Sequence, residues 1–273
     1  MSVSVHVRKS LLLALWIVIA SFYLFPYVWM VLTGFRQPID TISMPPRFIF
    51  GPTLDGFREL FATSEFQFFL LNSVIVSFAS TALVIAVAAP AAYALTQLPI
   101  KGRAFLMLVM VARMVPAIVI VIPAYLIAVK TGQLDTYQVL VVFYVAFNLP
   151  FAIWLMRSFF SEIHPGIREA GIVDGATEFQ VFWKILLPLT SSGIVATAVF
   201  VFIAAWNEFL FALVLTNSHA ATAPLAMLGF RTQWGVLWGQ IGAAAVLVSS
   251  PVLIFTLFMQ RYLLRGLTMG SVK

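Results

Sequence analysis

Two charged residues stand inside long apolar stretches of this chain, Arg113 and Glu208. Two amides accompany them, Asn148 and Asn207. If these stretches cross a membrane, a charge at mid-bilayer costs roughly 2.5–3.5 kcal/mol on insertion scales, so such residues face a bundle interior or a wet path. Amides and a guanidinium there suit hydrogen bonds to hydroxyl groups. The four residues are the candidate lining of a solute pathway, with a structural or gate-lining role preferred for Glu208, whose expected depth is shallow. A second reading gives Arg113 and Glu208 to ion coupling in a stand-alone secondary carrier. At 1.5 Å per helical residue, Glu208 lies roughly 35 Å from Ile185 and Arg113 about 15 Å past Arg103, so a tight pair is not expected.

Other chemistry has little support. The three histidines, His6, His164 and His219, lack metal-ligand spacing and read as loop residues. There is no cysteine, hence neither thiolate zinc site nor cysteine nucleophile. No serine–histidine–aspartate arrangement suggests itself. A G-x-x-x-x-G-K-[ST] phosphate loop is missing, so any ATP hydrolysis must come from another subunit. The chain is not expected to be an enzyme or to hold a metal.

The remaining motif is the segment 161–193, SEIHPGIREAGIVDGATEFQVFWKILLPLTSSG. Pro165 suits a first helical position, and Gly175 interrupts the helix that follows. A second helix is expected from Thr177, running into the membrane. Ile167, Ile172 and Val173 form an apolar ridge, while Ala170, Gly171, Gly175 and Ala176 are small enough to permit close approach. Such an element docks in a partner's groove or lies flat on a bilayer, and periodicity does not separate the two.

The elements that must position these residues follow from composition. Of 273 residues 62% are apolar and 10% charged, against about 25% charged in soluble domains. That excludes a soluble enzyme and a basic nucleic-acid binder. A spanning helix needs roughly 20 apolar residues. Charge-free stretches between Lys9 and Arg36, Glu65 and Lys101, Asp135 and Arg157, Lys184 and Glu208, and Arg231 and Arg261 satisfy this, as does 104–128 apart from Arg113. The expected fold is an all-α membrane protein of one domain, 1–273, with six spans near 11–33, 68–95, 104–128, 138–158, 186–215 and 241–262. The first apolar core, Leu11–Leu32, exceeds the 7–15 residues of a signal peptide and reads as a span. Pro26, Pro90, Pro116, Pro123, Pro150, Gly193, Gly242 and Pro251 fall inside spans, where they are tolerated as kinks or packing points. With both termini on one side, that side holds ten basic residues and the other five, which places the termini in the cytoplasm. The net charge of +6 is then an inward-facing excess. Trp234 and Trp238 suit an interfacial belt.

The run Glu169-Ala170-Gly171, then Gly175, then Ile185-x-Leu187-Pro188, resembles the EAA loop of ATP-binding-cassette importer permeases, with Gly171 where alanine is usual. Phe25-Pro26-Tyr27-Val28-Trp29-Met30, Pro116 and Pro123, Trp206-Asn207-Glu208-Phe209, and the tail from Gln260-Arg261-Tyr262 to Lys273 resemble the maltose-type carbohydrate branch. The resemblance implies a type I importer permease fold in a bacterial inner membrane. It implies that 161–187 is a coupling loop in which Glu169, Ala170, Gly171, Asp174, Gly175 and Ala176 meet an ATPase, and that Arg261, Arg265 and Lys273 in the tail touch it too. The implied partners are a second homologous permease, a homodimeric ATPase that holds ATP and Mg, a periplasmic or lipid-anchored solute-binding protein, membrane lipid and a sugar. No cofactor belongs to this chain, and no nucleic acid is implied.

Overall fold

The computed structural model describes residues 2–63, 65–98, 102–232 and 235–269. The apolar runs are helical, since a helix satisfies its backbone groups internally where lipid offers no partner. In chain order they are α1 (Ser2–Gly34), α2 (Pro38–Thr41), α3 (Asp55–Thr63), α4 (Phe66–Gln97), α5 (Gly102–Arg113), α6 (Ala117–Lys130), α7 (Tyr137–Ser161) and α8 (Pro165–Val173). Then come α9 (Glu178–Gln180), a π-helix (Val181–Leu186), α10 (Leu187–Leu189), α11 (Ser191–Trp206), α12 (Leu210–Leu215), α13 (Ala223–Ala226), a 3₁₀ turn, the two-residue strands β1 (Arg231–Thr232) and β2 (Gly235–Val236), and α14 (Trp238–Met269).

Among the described residues four helices are long and apolar enough to span: α1, α4, α7 and α14. Glu178–Leu189 and α11, bent by 77° at Thr190, pass together as a fifth. Two of the expected spans are therefore not single continuous helices. The stretch 104–128 is two short helices, α5 and α6, separated at Met114–Pro116. Pro116 is extended, at φ −59° and ψ 137°, and a proline disfavours helical backbone in the residue before it. The stretch 186–215 contains the bend at Thr190 and breaks again at Asn207–Phe209. The second helix of the loop does not run straight into a span. His6 falls within α1 and not in a loop.

Contacts resolve the chain into two compact units. The first is 1–67 with 226–250. In it Gly34 crosses α14 at Gly242 so closely that a Cβ on Gly242 would lie 2.4 Å from the Gly34 nitrogen. Arg36 is buried, stacked between Trp29 and Phe50 at 4.4 and 4.8 Å. The apolar window of α1 buries nothing within the chain, leaving side chains such as Trp16, Phe22 and Tyr23 exposed.

The second unit, 68–225 with 251–273, has two cores. One gathers Tyr93, Phe160 and Phe182 with Val84, Met156 and Leu186. The other gathers Leu140, Tyr144, Phe211 and Leu215 with Val76 and Val121. α11 lies on α7, where Gly193 leaves room for the ring of Phe159.

Beyond α12, the loop 217–223 is held by polar groups of other elements. The Asp135 carboxylate accepts from the amides of Asn217, Ser218, His219 and Ala220 at 3.0–3.2 Å. Asn72 donates to the carbonyls of His219 and Ala221 and accepts from the Tyr137 hydroxyl. Burial pushes the Asp135 carboxyl up, but the four amides outweigh it and hold it at about 2. A carboxylate held below its ordinary value stabilises above that value and loses its effect as pH falls toward the depressed one. Hydrogen exchange of the 217–220 amides, corrected for intrinsic rate, should stay constant above pH 4 and accelerate between pH 4 and 2. Asp135→Asn, whose residue tolerates the left-handed backbone at φ 58°, should expose the same amides at neutral pH.

Candidate functional site

The loop is built on two helix starts and one glycine turn. His164 caps α8, its Nδ1 accepting from the Gly166 amide at 3.1 Å, and Pro165 follows in the first turn. At the other end Gly175 adopts φ +84°, and the Gly175 and Ala176 amides donate to the carbonyls of Ile172 and Gly171, each at 3.0 Å. This is the paired closure of a left-handed helix stop. Thr177 and Gln180 then start α9 with a reciprocal capping box.

An ionic cluster ties the helices on either side of the turn. Arg168 on α8 forms an ion pair with Glu178 through Nη2 and donates through Nε at 3.2 Å, while the Tyr93 hydroxyl from α4 donates to Glu178 at 2.6 Å. The guanidinium, then the phenol, draws the Glu178 carboxyl below its ordinary range, and Glu178 raises Arg168 in turn. Beneath this, Phe182 packs against Tyr93 and Phe160 at 5.1 and 6.4 Å.

The six loop residues singled out in the sequence come together on α8 and its stop. Glu169, Ala170, Asp174 and Gly175 are exposed and Ala176 is half-buried. Gly171 faces inward, where a Cβ would meet Ile185 at 3.0 Å and Val181 at 3.2 Å. The exposed apolar ridge is real: Val173 is 86% exposed, with Phe179 at 71% just past the turn. Arg168, Glu178 and Tyr93 were not anticipated, because ten and 85 residues separate partners whose meeting depends on the turn and on α4. The capping box was legible as Thr177-x-x-Gln180.

The membrane residues divide. Glu208 sits at the break before α12, and its carboxylate accepts from the amides of Leu210, Phe211 and Ala212 at 2.9–3.3 Å. Asn207 donates to the Ile203 carbonyl at 2.9 Å and Asn148 to that of Tyr144 at 2.8 Å, each on its own helix. Arg113 ends α5 over the ring of Phe151, 4.7 Å from its centroid. No ion pair joins Arg113 to Glu208 among the described residues. Arg261 and Arg265 fall on α14, but their side chains, and Lys273 altogether, lie outside the described residues, as does Trp234. Among the described residues no group of histidines or carboxylates could hold a metal ion.

The model of binding-protein-dependent transport system inner membrane components matches residues 85–269, a range that contains the loop and both breaks. The chain belongs to this family. It is therefore an inner-membrane transport component, and a self-sufficient ion-coupled carrier is set aside. The probable ABC transporter permease protein y4oR of Sinorhizobium fredii is 62% identical over 97% of this chain and 96% of its own length. The trehalose/maltose transport system permease protein MalG of Thermococcus litoralis is 34% identical over 97% of each. The fold matches the crystal structure of a bacterial ABC transporter that imports the acidic polysaccharide alginate, with TM-score 0.79 and 21% identity, covering 95% of this chain and 97% of that one. This is the type I importer permease fold.

Gly175 has open space around it and a backbone that L-residues resist. Gly175→Ala and Gly175→Leu should therefore cost alike, about 1–2 kcal/mol, and Gly175→Asn less. Thermal unfolding in detergent checks this, and a cost that grows with side-chain size would point to a hidden contact instead.

Proposed function

We propose that this permease forms half of the translocation path of an ATP-driven carbohydrate importer and takes its energy from a cytoplasmic ATPase through the 161–187 loop. The observation that carries the reading is α8 itself. It is a short helix with an exposed apolar ridge, fixed by the Arg168–Glu178–Tyr93 cluster to α4 and to the segment leading into α11. A helix so tied passes displacement to the spans, which a bilayer-surface helix has no need to do. Carbohydrate as cargo is supported by the named relatives, among them MalG and the diacetylchitobiose uptake permease of Streptomyces coelicolor, 34% identical over 91% of each chain.

In this reading Glu169, Ala170, Asp174 and Gly175 meet the ATPase, with Gly171 and Ala176 shaping the helix behind them. ATP and Mg stay on that homodimeric ATPase, and this chain is no enzyme. A second homologous permease completes the path, and a periplasmic or lipid-anchored binding protein delivers the sugar outside. Both termini lie in the cytoplasm, and the tail with Arg261, Arg265 and Lys273 adds a second ATPase contact. Rigid-body rocking of the two permeases gives alternating access. Arg113, Asn148, Asn207 and Glu208 belong to the path or its walls, with Glu208 in a structural role.

Val173→Asp places a charge on the ridge without touching the fold behind it. It should lower copurification of the ATPase at least tenfold and abolish sugar-stimulated ATP hydrolysis, with membrane insertion unchanged. Normal copurification would remove α8 as the dock. Deleting residues 261–273 should weaken ATPase retention further, and retention equal to the full chain would remove the tail contact.

A further inference from the structure

Within the second unit a cavity of about 180 Å³ opens beside Arg113, walled by Phe143, Phe147 and Phe211 and by Ala146 and Pro150 of α7. Its polar groups are few and complementary. Arg113 enters from the end of α5, and its Nη1 is buried with no hydrogen-bond partner. Pro150 lacks an N–H, so the carbonyl of Ala146, four residues earlier, is without its helical donor. One unpaired donor and one carbonyl short of its donor thus belong to residues that wall the same cavity, and the remaining wall is apolar, with three phenylalanines beside Ile120 and Pro150. Phe143 and Phe211 stack at 5.7 Å with 16° between planes.

The combination selects among ligands. An apolar molecule would leave both polar groups unmet, at a cost of about 1–3 kcal/mol each. An anion would satisfy Arg113 but face the Ala146 carbonyl with like partial charge. A hydroxyl both donates and accepts, and the C–H face of a sugar ring is apolar enough to lie on phenylalanine. We propose that this cavity is a subsite for one ring of a neutral carbohydrate. Arg113 donates to one hydroxyl, the Ala146 carbonyl accepts from a neighbour, and Phe143, Phe147 and Phe211 pack the ring. The inference rests on the importer reading and deepens it: this subunit touches the cargo itself, at the level where the third expected span is broken.

The chain has no cysteine, so Ala146→Cys places a single reporter thiol in it. The complete importer, with both permeases, ATPase and binding protein, is reconstituted in proteoliposomes, and N-ethylmaleimide labelling of this subunit is followed by mass. The probes are maltose, trehalose, diacetylchitobiose and mannitol, with digalacturonate as the anionic member, and uptake of each is measured in parallel. Any neutral probe that is taken up should slow labelling of Ala146→Cys at least fivefold and leave the exposed control Ile49→Cys unchanged. Uptake without protection overturns the subsite and leaves the importer reading standing. Protection by digalacturonate alone overturns the neutral ligand. Uptake of no probe overturns the carbohydrate reading and this inference with it. If Ala146→Cys does not assemble, Ile120→Cys, which also lines the cavity, gives the same readout.

Discussion

Hydrocarbon supplies no hydrogen bonds, so wherever a spanning helix is interrupted the chain must repair the damage with its own atoms. The second unit shows two such repairs. At Asn207–Phe209 the helix stops, and Glu208 takes the place of the missing carbonyls, receiving three amides of the next helix. At Met114–Pro116 the helix restarts on a proline whose own N–H is missing, which reduces the number of donors left open. Of the two charges in the apolar stretches, Glu208 is thereby occupied by backbone amides. The other charge, Arg113, has no comparable set of backbone partners among the described residues and lies instead over the ring of Phe151.

How much of this was legible depended on distance along the chain. Four of the expected spans coincide with continuous helices, because lipid enforces a long apolar run and little else competes. The breaks were harder to see. Pro116 was visible, yet proline is common inside spans, as Pro26, Pro90, Pro123, Pro150 and Pro251 show by sitting within unbroken helices. Nothing local distinguishes the proline that breaks from those that bend. The break at Asn207 has no proline at all and rests on a carboxylate finding amides two to four residues ahead.

The loop was the reverse case. Its motif was readable because its parts are close in sequence: a proline at a helix start, a glycine that ends the helix, and a second helix from Thr177. What holds it against the rest of the unit was not, since Tyr93 and Glu178 lie 85 residues apart. The same holds for the loop after α12, where Asp135 collects four amides from more than 80 residues away. In both places one carboxylate organises several donors, and the acid appears in the sequence as an ordinary surface charge.

The 77° bend at Thr190 has a mechanical meaning of its own. Two rods joined near a right angle form a crank: thrust along Glu178–Leu189 reaches α11 almost entirely as sideways load, with little compression along its axis. A π-helical stretch occupies half of the first arm, and its anchorage through Phe182 and Leu186 in the core keeps the elbow from folding under such a load. Stroke and response therefore run in different directions, and the angle of one joint sets the ratio between them.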